Sequence, residues 1–416
     1  MIAKYPPMGW NSWDCYGAAV TEADVRRNAD YMAQHLKQYG WEYVVVDIQW
    51  YQPTAVNHQY EPFSSLTMDA YGRLTPALNR FPSASGGQGF KPLADYVHSL
   101  GLKFGIHIMR GMPRMAAHNH LPIHGSEHFC HQAADPSSIC AWNPDMYGLK
   151  CETDAARAYY ESIFALYASW GVDFIKCDDI AREYPHCKKE IELISDCIRN
   201  CGRDMVLSLS PGPAPLEQAE HLAQYANMWR ITDDFWDRWD LLYGMFERAQ
   251  KWCIHAGPGH WPDADMLPVG ALRQCDDPDE WTAFSKAEQR TMMTLWCMMR
   301  SLLMIGAEMS KNDKFTLSLL TNADVLAIEK ESFCGHPLRT TPQESIWIAP
   351  RQDGTGVYAA LFNLSDEPRT VSISQSDIGL SPSRIRSLWT GDDIEITDLL
   401  SASLPAHDAA VFLLSR

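Results

Sequence analysis

The chain has 416 residues, 46% hydrophobic and 21% charged, which is apolar material enough for a sizeable core in one large domain or a few smaller ones. Its formal net charge is −17, and a surface of that sign repels phosphate backbones and anionic lipid, which argues against nucleic acid and membranes as partners. No stretch approaches the ~18 apolar residues of a membrane span, and MIAKYPPMGW lacks the pattern of an export signal, so the 12 scattered cysteines are expected as reduced thiols in a cytoplasmic protein.

In chain order, Thr21 with Asp24 three residues on forms a capping box, and Val25, Ala29, Met32 and Leu36 follow at helical spacing. YVVVD (Tyr43 to Asp47) and KFGIHIM (Lys103 to Met109) read as buried strands. Gly111 to Lys150 reads as a loop-rich insertion carrying His118, His120, His124, His128 and His131. A helix is expected from Asp154 to Trp170, stopped by Gly171. FIKCD (Phe174 to Asp178), MVLSLS (Met205 to Ser210) and MWRIT (Met228 to Thr232) are further strands. Ser285 and Glu288 open a helix expected to run to about Leu303. Such alternation means a parallel sheet, either doubly wound or closed. The length of residues 1–332 fits a (β/α)8 TIM barrel. From residue 333 to 416 the pattern changes to short strands (SIWIAP, GVYAALFNL, RTVSIS, AAVFLL) separated by turns, which predicts a small antiparallel β-sandwich.

In a parallel barrel the residues at strand C-termini face one mouth, where chemistry sits. Asp47, His107, Asp178 with Lys176 two residues before it, Ser210, Arg230, Asp233, Asp234 and Asp265 all fall at or near such ends. Structural ion pairs are one reading of each, but pairs of that kind would be spread over both barrel ends. Two carboxylates with different surroundings suit glycoside cleavage, which needs neither metal nor cofactor. Lys176 would keep Asp178 ionised, whereas Asp233 and the neighbouring Phe235 and Trp236 would raise the pKa of Asp234. Asp179 reads as a supporting residue at a helix start, and Cys177 points to the core by strand alternation. Fifteen tryptophans also lean toward sugars. Two rival readings stand beside this one. A metal-dependent barrel hydrolase would use the HNH of His118 to His120, and a sugar-binding protein would have lost catalysis.

PPMGWNSWDCYG, YVVVDIQWY, FIKCDD, WRITDDFWDRW, AGPGHWPDADMLPVG and the late LWTGDDI and LPAHDAAVFLL carry a resemblance to glycoside hydrolase family 27, the α-galactosidase and α-N-acetylgalactosaminidase family. The resemblance implies a retaining exo-glycosidase in which Asp178 is the nucleophile and Asp234 the acid/base. It implies that Trp13, Asp47, Gln49, Trp50, His107, Lys176, Ser210, Arg230 and Asp265 form the sugar subsite. It implies carboxyl groups ~5–5.5 Å apart. A small oligosaccharide or glycoside is the expected partner, with assembly of several copies of the chain left open. Three positions depart from the usual α-galactosidase pattern. Ile48 replaces a second aspartate, His107 a tyrosine and Ser210 a glutamate. The expected substrate is an α-D-galactoside, with an α-N-acetylgalactosaminide or a β-L-arabinopyranoside as the alternatives.

Overall fold

The computed structural model describes residues 1–416. Eight short parallel strands lie at its centre: β1 (Met8–Asn11), β2 (Tyr43–Val46), β3 (Lys103–Met109), β4 (Phe174–Asp178), β5 (Val206–Leu209), β6 (Met228–Arg230), β7 (Trp261–Asp263) and β8 (Leu303–Ile305). They pair in the order β7-β6-β5-β4-β3-β2-β1-β8. A parallel bridge between Leu267, just past β7, and Ile305 joins the two ends, with the Leu267 N–H donating to the Met304 carbonyl at 2.7 Å. This is the expected (β/α)8 barrel. Its strands are almost uninterruptedly apolar because helices cover one face and packed side chains fill the other. The β3–β4 register sets His107 beside Lys176 and Met109 beside Asp178.

The helices begin where caps predict. Thr21 and Asp24 satisfy each other's backbone N–H groups at the start of Glu22–Tyr31, and Val25, Ala29, Met32 and Leu36 are fully buried. The helix Asp154–Trp170 ends on Gly171 at φ 86°, a left-handed value that glycine adopts without steric cost. The helix opened by Ser285 stops at Met299, short of the expected Leu303. Arg300 turns left-handed, and Leu303 already belongs to β8. No helix is long and apolar enough to cross a membrane. The 111–150 insertion contains a small antiparallel sheet of Met112–Pro113, Met146–Leu149 and Ala134–Asp135. Its histidines do not converge: His118 bonds the Tyr147 hydroxyl at 3.0 Å, while His120 and His131 lie ring to ring. The HNH pair therefore gathers no ligand set, which removes the geometry that the metal-dependent reading required.

Beyond residue 335 the chain forms an antiparallel sandwich. A six-stranded sheet faces a two-stranded one made of Arg369–Ser374 and Leu399–Leu404. Strand alternation gives the larger sheet two apolar faces. Ile346 and Ile348 enter the sandwich core, while Trp347 and Ala349 join the barrel's core. Arg290 on the Lys286–Met299 helix grips Asp408 of the sandwich with two hydrogen bonds, at 2.9 and 2.5 Å. A fork-to-carboxylate contact of this kind fixes orientation as well as adding energy.

Candidate active site

The C-terminal ends of β2 and β4 place three charged groups side by side. Lys176 Nζ donates to Asp47 Oδ2 at 2.8 Å, and Asn11 donates to the same oxygen at 2.7 Å. Asp178 Oδ2 meets His107 Nε2 at 2.9 Å, and Asp178 Oδ1 accepts the Asp179 N–H at 3.0 Å. Burial alone would raise the Asp178 pKa. The His107 bond, the positive charge of Lys176 and the Asp179 N–H outweigh it, and they hold this carboxyl well below the ordinary range. Burial would likewise neutralise Lys176, but Asp47 and Asp178 keep it charged. Asp179 itself sits at φ 60°. Arg110 pins it there, donating to its carbonyl at 2.7 Å and pairing with its carboxylate at 3.0 Å. The sharp turn therefore aims Asp178 into the barrel mouth and leaves Asp179 behind it.

On the opposite side Arg230, at the end of β6, contacts two carboxylates. Its guanidinium reaches Asp234 Oδ1 at 3.0 Å and Asp265 Oδ2 at 2.7 Å. Burial, together with the nearby charges of Asp234 and Asp263, pushes the Asp265 carboxyl up against the pull of Arg230. The surroundings expected for Asp234 are different in the structure. Its side chain is 56% exposed, and Asp233 turns outward to pair with Arg182 at 2.6 Å. The folded chain leaves Asp234 open to solvent, so the burial expected around this carboxyl is absent.

Trp13, Asp47, Lys176, Asp178, Arg230, Asp234 and Asp265 line one pocket. Four other expected residues lie outside its walls. Trp50 is fully buried, donates to the His107 carbonyl at 2.8 Å and packs on Phe90 and Trp170. It is a core residue, because Gln49 at φ 63° breaks the strand alternation before it. Gln49 is also fully buried and does not line the pocket. His107 has no exposed surface and bonds Asp178. Ser210 lines an adjoining cavity that shares Lys176, Arg230 and Asp265 with the pocket.

The pocket also contains Trp236, expected beside Asp234, and two residues that the sequence did not single out, Asp14 and Tyr60. Tyr60 stacks on Trp13 with centroids 5.7 Å apart. An aromatic next to loop residues carries no period, so only the structure shows it. Asp14 is 1% exposed, and its Oδ2 has no hydrogen-bond partner. Gly306 makes room for this carboxyl, since a Cβ there would collide with it. Burial, then the charge of Asp265, raises the Asp14 pKa well above the usual range. The folded chain thus keeps a proton that the unfolded chain loses above about pH 4, so this group's contribution to stability falls as pH rises. Asp14→Asn is expected to raise the melting temperature at pH 8 and to change it little at pH 4. An equal shift at both pH values would contradict this account.

Comparison with known proteins agrees with this geometry. The model of the family described as alpha galactosidase A matches residues 5–157 and 144–331. The model described as the alpha galactosidase C-terminal beta sandwich domain matches residues 342–414. The crystal structure of a GH27 β-L-arabinopyranosidase from Geobacillus stearothermophilus is 53% identical, covers 100% of this chain and 97% of its own, and superposes with a TM-score of 0.97. The α-galactosidase of Coffea arabica is 28% identical over 99% of this chain and 93% of its own length. That of Oryza sativa subsp. japonica is 26% identical over 100% of this chain and 85% of its own. With both family models matched in order along one barrel and one sandwich, the chain belongs to the alpha galactosidase A family, glycoside hydrolase family 27, and is a retaining glycoside hydrolase.

Proposed function

We propose that Asp178 attacks the anomeric carbon of a terminal sugar while Asp234 protonates the departing glycosidic oxygen. In the first step the C1–O bond breaks as the Asp178–C1 bond forms, and the aglycone leaves with the proton of Asp234. In the second, Asp234 takes a proton from water, which attacks C1 and releases Asp178. Two inversions give net retention. The observation that carries this reading is the pair of carboxylates in one pocket in opposite surroundings. Asp178 is held ionised by His107 and Lys176, and Asp234 is open to solvent. Asp47 and Lys176 form a ready hydrogen-bonding pair for ring hydroxyls remote from C1.

The sugar we infer is a β-L-arabinopyranoside, with α-D-galactosides as slower substrates. The two share ring stereochemistry and differ at C5, where galactose carries a hydroxymethyl group. Ile48 stands where α-galactosidases have a second aspartate by the family resemblance, and it is 1% exposed. It brings no acceptor for a primary hydroxyl, and the 53% identical relative acts on β-L-arabinopyranosides. A pocket difference of this size discriminates by about 10–200-fold. In a panel of aryl glycosides, kcat/KM for the β-L-arabinopyranoside is expected to exceed that for the α-D-galactoside by about 10-fold or more. Ile48→Asp is expected to narrow or reverse the ratio. A wild-type preference for the galactoside, or a ratio unmoved by Ile48→Asp, would overturn this assignment without touching the roles of Asp178 and Asp234.

A further inference from the structure

Behind the aromatic wall of the pocket, three side chains from two loops converge. His58 comes from the loop after β2, and Cys275 and Asp276 come from the loop after β7. His58 Nδ1 lies 2.7 Å from Asp276 Oδ2 and 3.8 Å from Cys275 Sγ. Cys275 Sγ lies 3.7 Å from the same carboxylate oxygen. No other three histidine, cysteine or acidic side chains in the chain bring their ligand atoms so close together.

The far side of His58 is equally constrained. Nε2 meets the Trp13 carbonyl at 2.8 Å, so that nitrogen carries hydrogen and Nδ1 faces the cluster. A ring N–H given to a backbone carbonyl is the usual outer support of a metal-bound histidine. Both loops are anchored by backbone bonds to the segment carrying Trp13. The Ala18 N–H donates to the Asn57 carbonyl at 2.8 Å, and the Cys275 N–H to the Cys15 carbonyl at 3.3 Å. A turn closed by the Asp276 N–H on the Arg273 carbonyl at 2.8 Å presents Cys275 and Asp276 on the same side. The ligand backbones are therefore held before anything binds.

We propose that His58, Cys275 and Asp276 bind a divalent transition-metal ion of the zinc type, outside the catalytic chemistry, and that the bound ion fastens the two loops behind Trp13. One nitrogen, one sulfur and one oxygen are ligands that zinc accepts. With tetrahedral bond lengths, sulfur should sit about 3.5 Å from each of the other two ligand atoms, and nitrogen about 3.3 Å from oxygen. The two sulfur distances already come within a few tenths of an ångström. Only the His58–Asp276 pair must open, by about 0.6 Å, as the cation replaces the hydrogen between them. Binding breaks the Cys275 S–H bond and forms a metal–sulfur bond, and the thiol proton and the hydrogen shared by His58 and Asp276 pass to buffer. The fourth position is left to water. Fixing these loops fixes the stack of Trp13 with Tyr60 and the edge contact of Trp13 with His58.

Cobalt(II) is a direct probe because a cobalt–thiolate bond absorbs in the near ultraviolet. Full-length enzyme stripped with chelator is titrated with Co2+. The expected result is a saturable charge-transfer band with tetrahedral visible bands at a single ion per chain, displaced by Zn2+. The band should vanish in Cys275→Ser and in His58→Gln and survive in Cys334→Ser, which removes an exposed thiol elsewhere. Zn2+ should raise the melting temperature of the wild type but not of Cys275→Ser, and the metal-free melting temperature of that variant shows whether it is folded. Absence of the band in the wild type overturns the proposal, as does its survival in folded Cys275→Ser.

Discussion

Asp178→Ala lowers turnover of an aryl glycoside by on the order of 10⁴–10⁶-fold, the scale seen when a covalent nucleophile is deleted, and azide restores part of it. The alanine leaves the pocket shaped for the sugar but removes the atom that attacks C1. Azide is small enough to take that place. Asp234 still protonates the leaving oxygen, so the product is a glycosyl azide of inverted anomeric configuration. Asp178→Asn serves as a second variant, since its amide keeps the volume and can accept from the Asp179 N–H as Asp178 does at 3.0 Å. If both variants keep wild-type activity, Asp178 is not the nucleophile. The depressed pKa of Asp178 adds a pH expectation. Its ionised form persists below the ordinary aspartate value of about 3.9, so the acid limb of kcat/KM is set by another group.

Asp234→Ala costs about 10²–10⁴-fold, and the loss depends on the leaving group. A dinitrophenolate departs with little help, so the first step survives with that substrate. An alkyl aglycone needs the proton and loses most of its rate. Deglycosylation also slows, because no base activates water, and azide should accelerate it to give a glycosyl azide of retained configuration. Asp233→Ala separates the two neighbours. Asp233 faces solvent and pairs with the half-exposed Arg182, a contact worth at most about 1 kcal/mol, so its loss should be mild. A leaving-group-dependent loss in Asp233→Ala, and none in Asp234→Ala, would reverse the assignment.

The structure shows why some of this was legible in the sequence and some was not. Strands β3 and β4 and the caps at Thr21, Gly171 and Ser285 follow local rules, and they stand where those rules place them. Strands β1, β7 and β8 have only three or four residues. The equally short β2, β5 and β6 were legible because apolar runs such as YVVVD and MVLSLS surround them, whereas β1 and β7 lie among prolines and polar residues and β8 reads as the tail of the helix before it, so the barrel was inferred from the length of residues 1–332. Within the site, Lys176 and Asp178 share a face because β4 is regular up to Asp178. The same logic fails one strand earlier. Past β2, Gln49 takes a left-handed conformation, and Trp50 swings into the core. His107 could be placed on the mouth side by alternation, but its bond to Asp178 depends on the β3–β4 register, which is a long-range property. Asp14 follows Trp13 in a short helical turn, and its seat against Gly306 joins positions 292 residues apart, the difference of 306 and 14.

The most direct test of the account is to trap the covalent intermediate. Enzyme incubated with a 2-deoxy-2-fluoro glycosyl fluoride of the preferred sugar is digested and mapped by mass spectrometry, since the fluorine at C2 slows deglycosylation and lets the ester accumulate. The account predicts one glycosyl label, on Asp178 within FIKCDDI, with none forming in Asp178→Asn. A label on Asp47, Asp179 or Asp234 instead would contradict it.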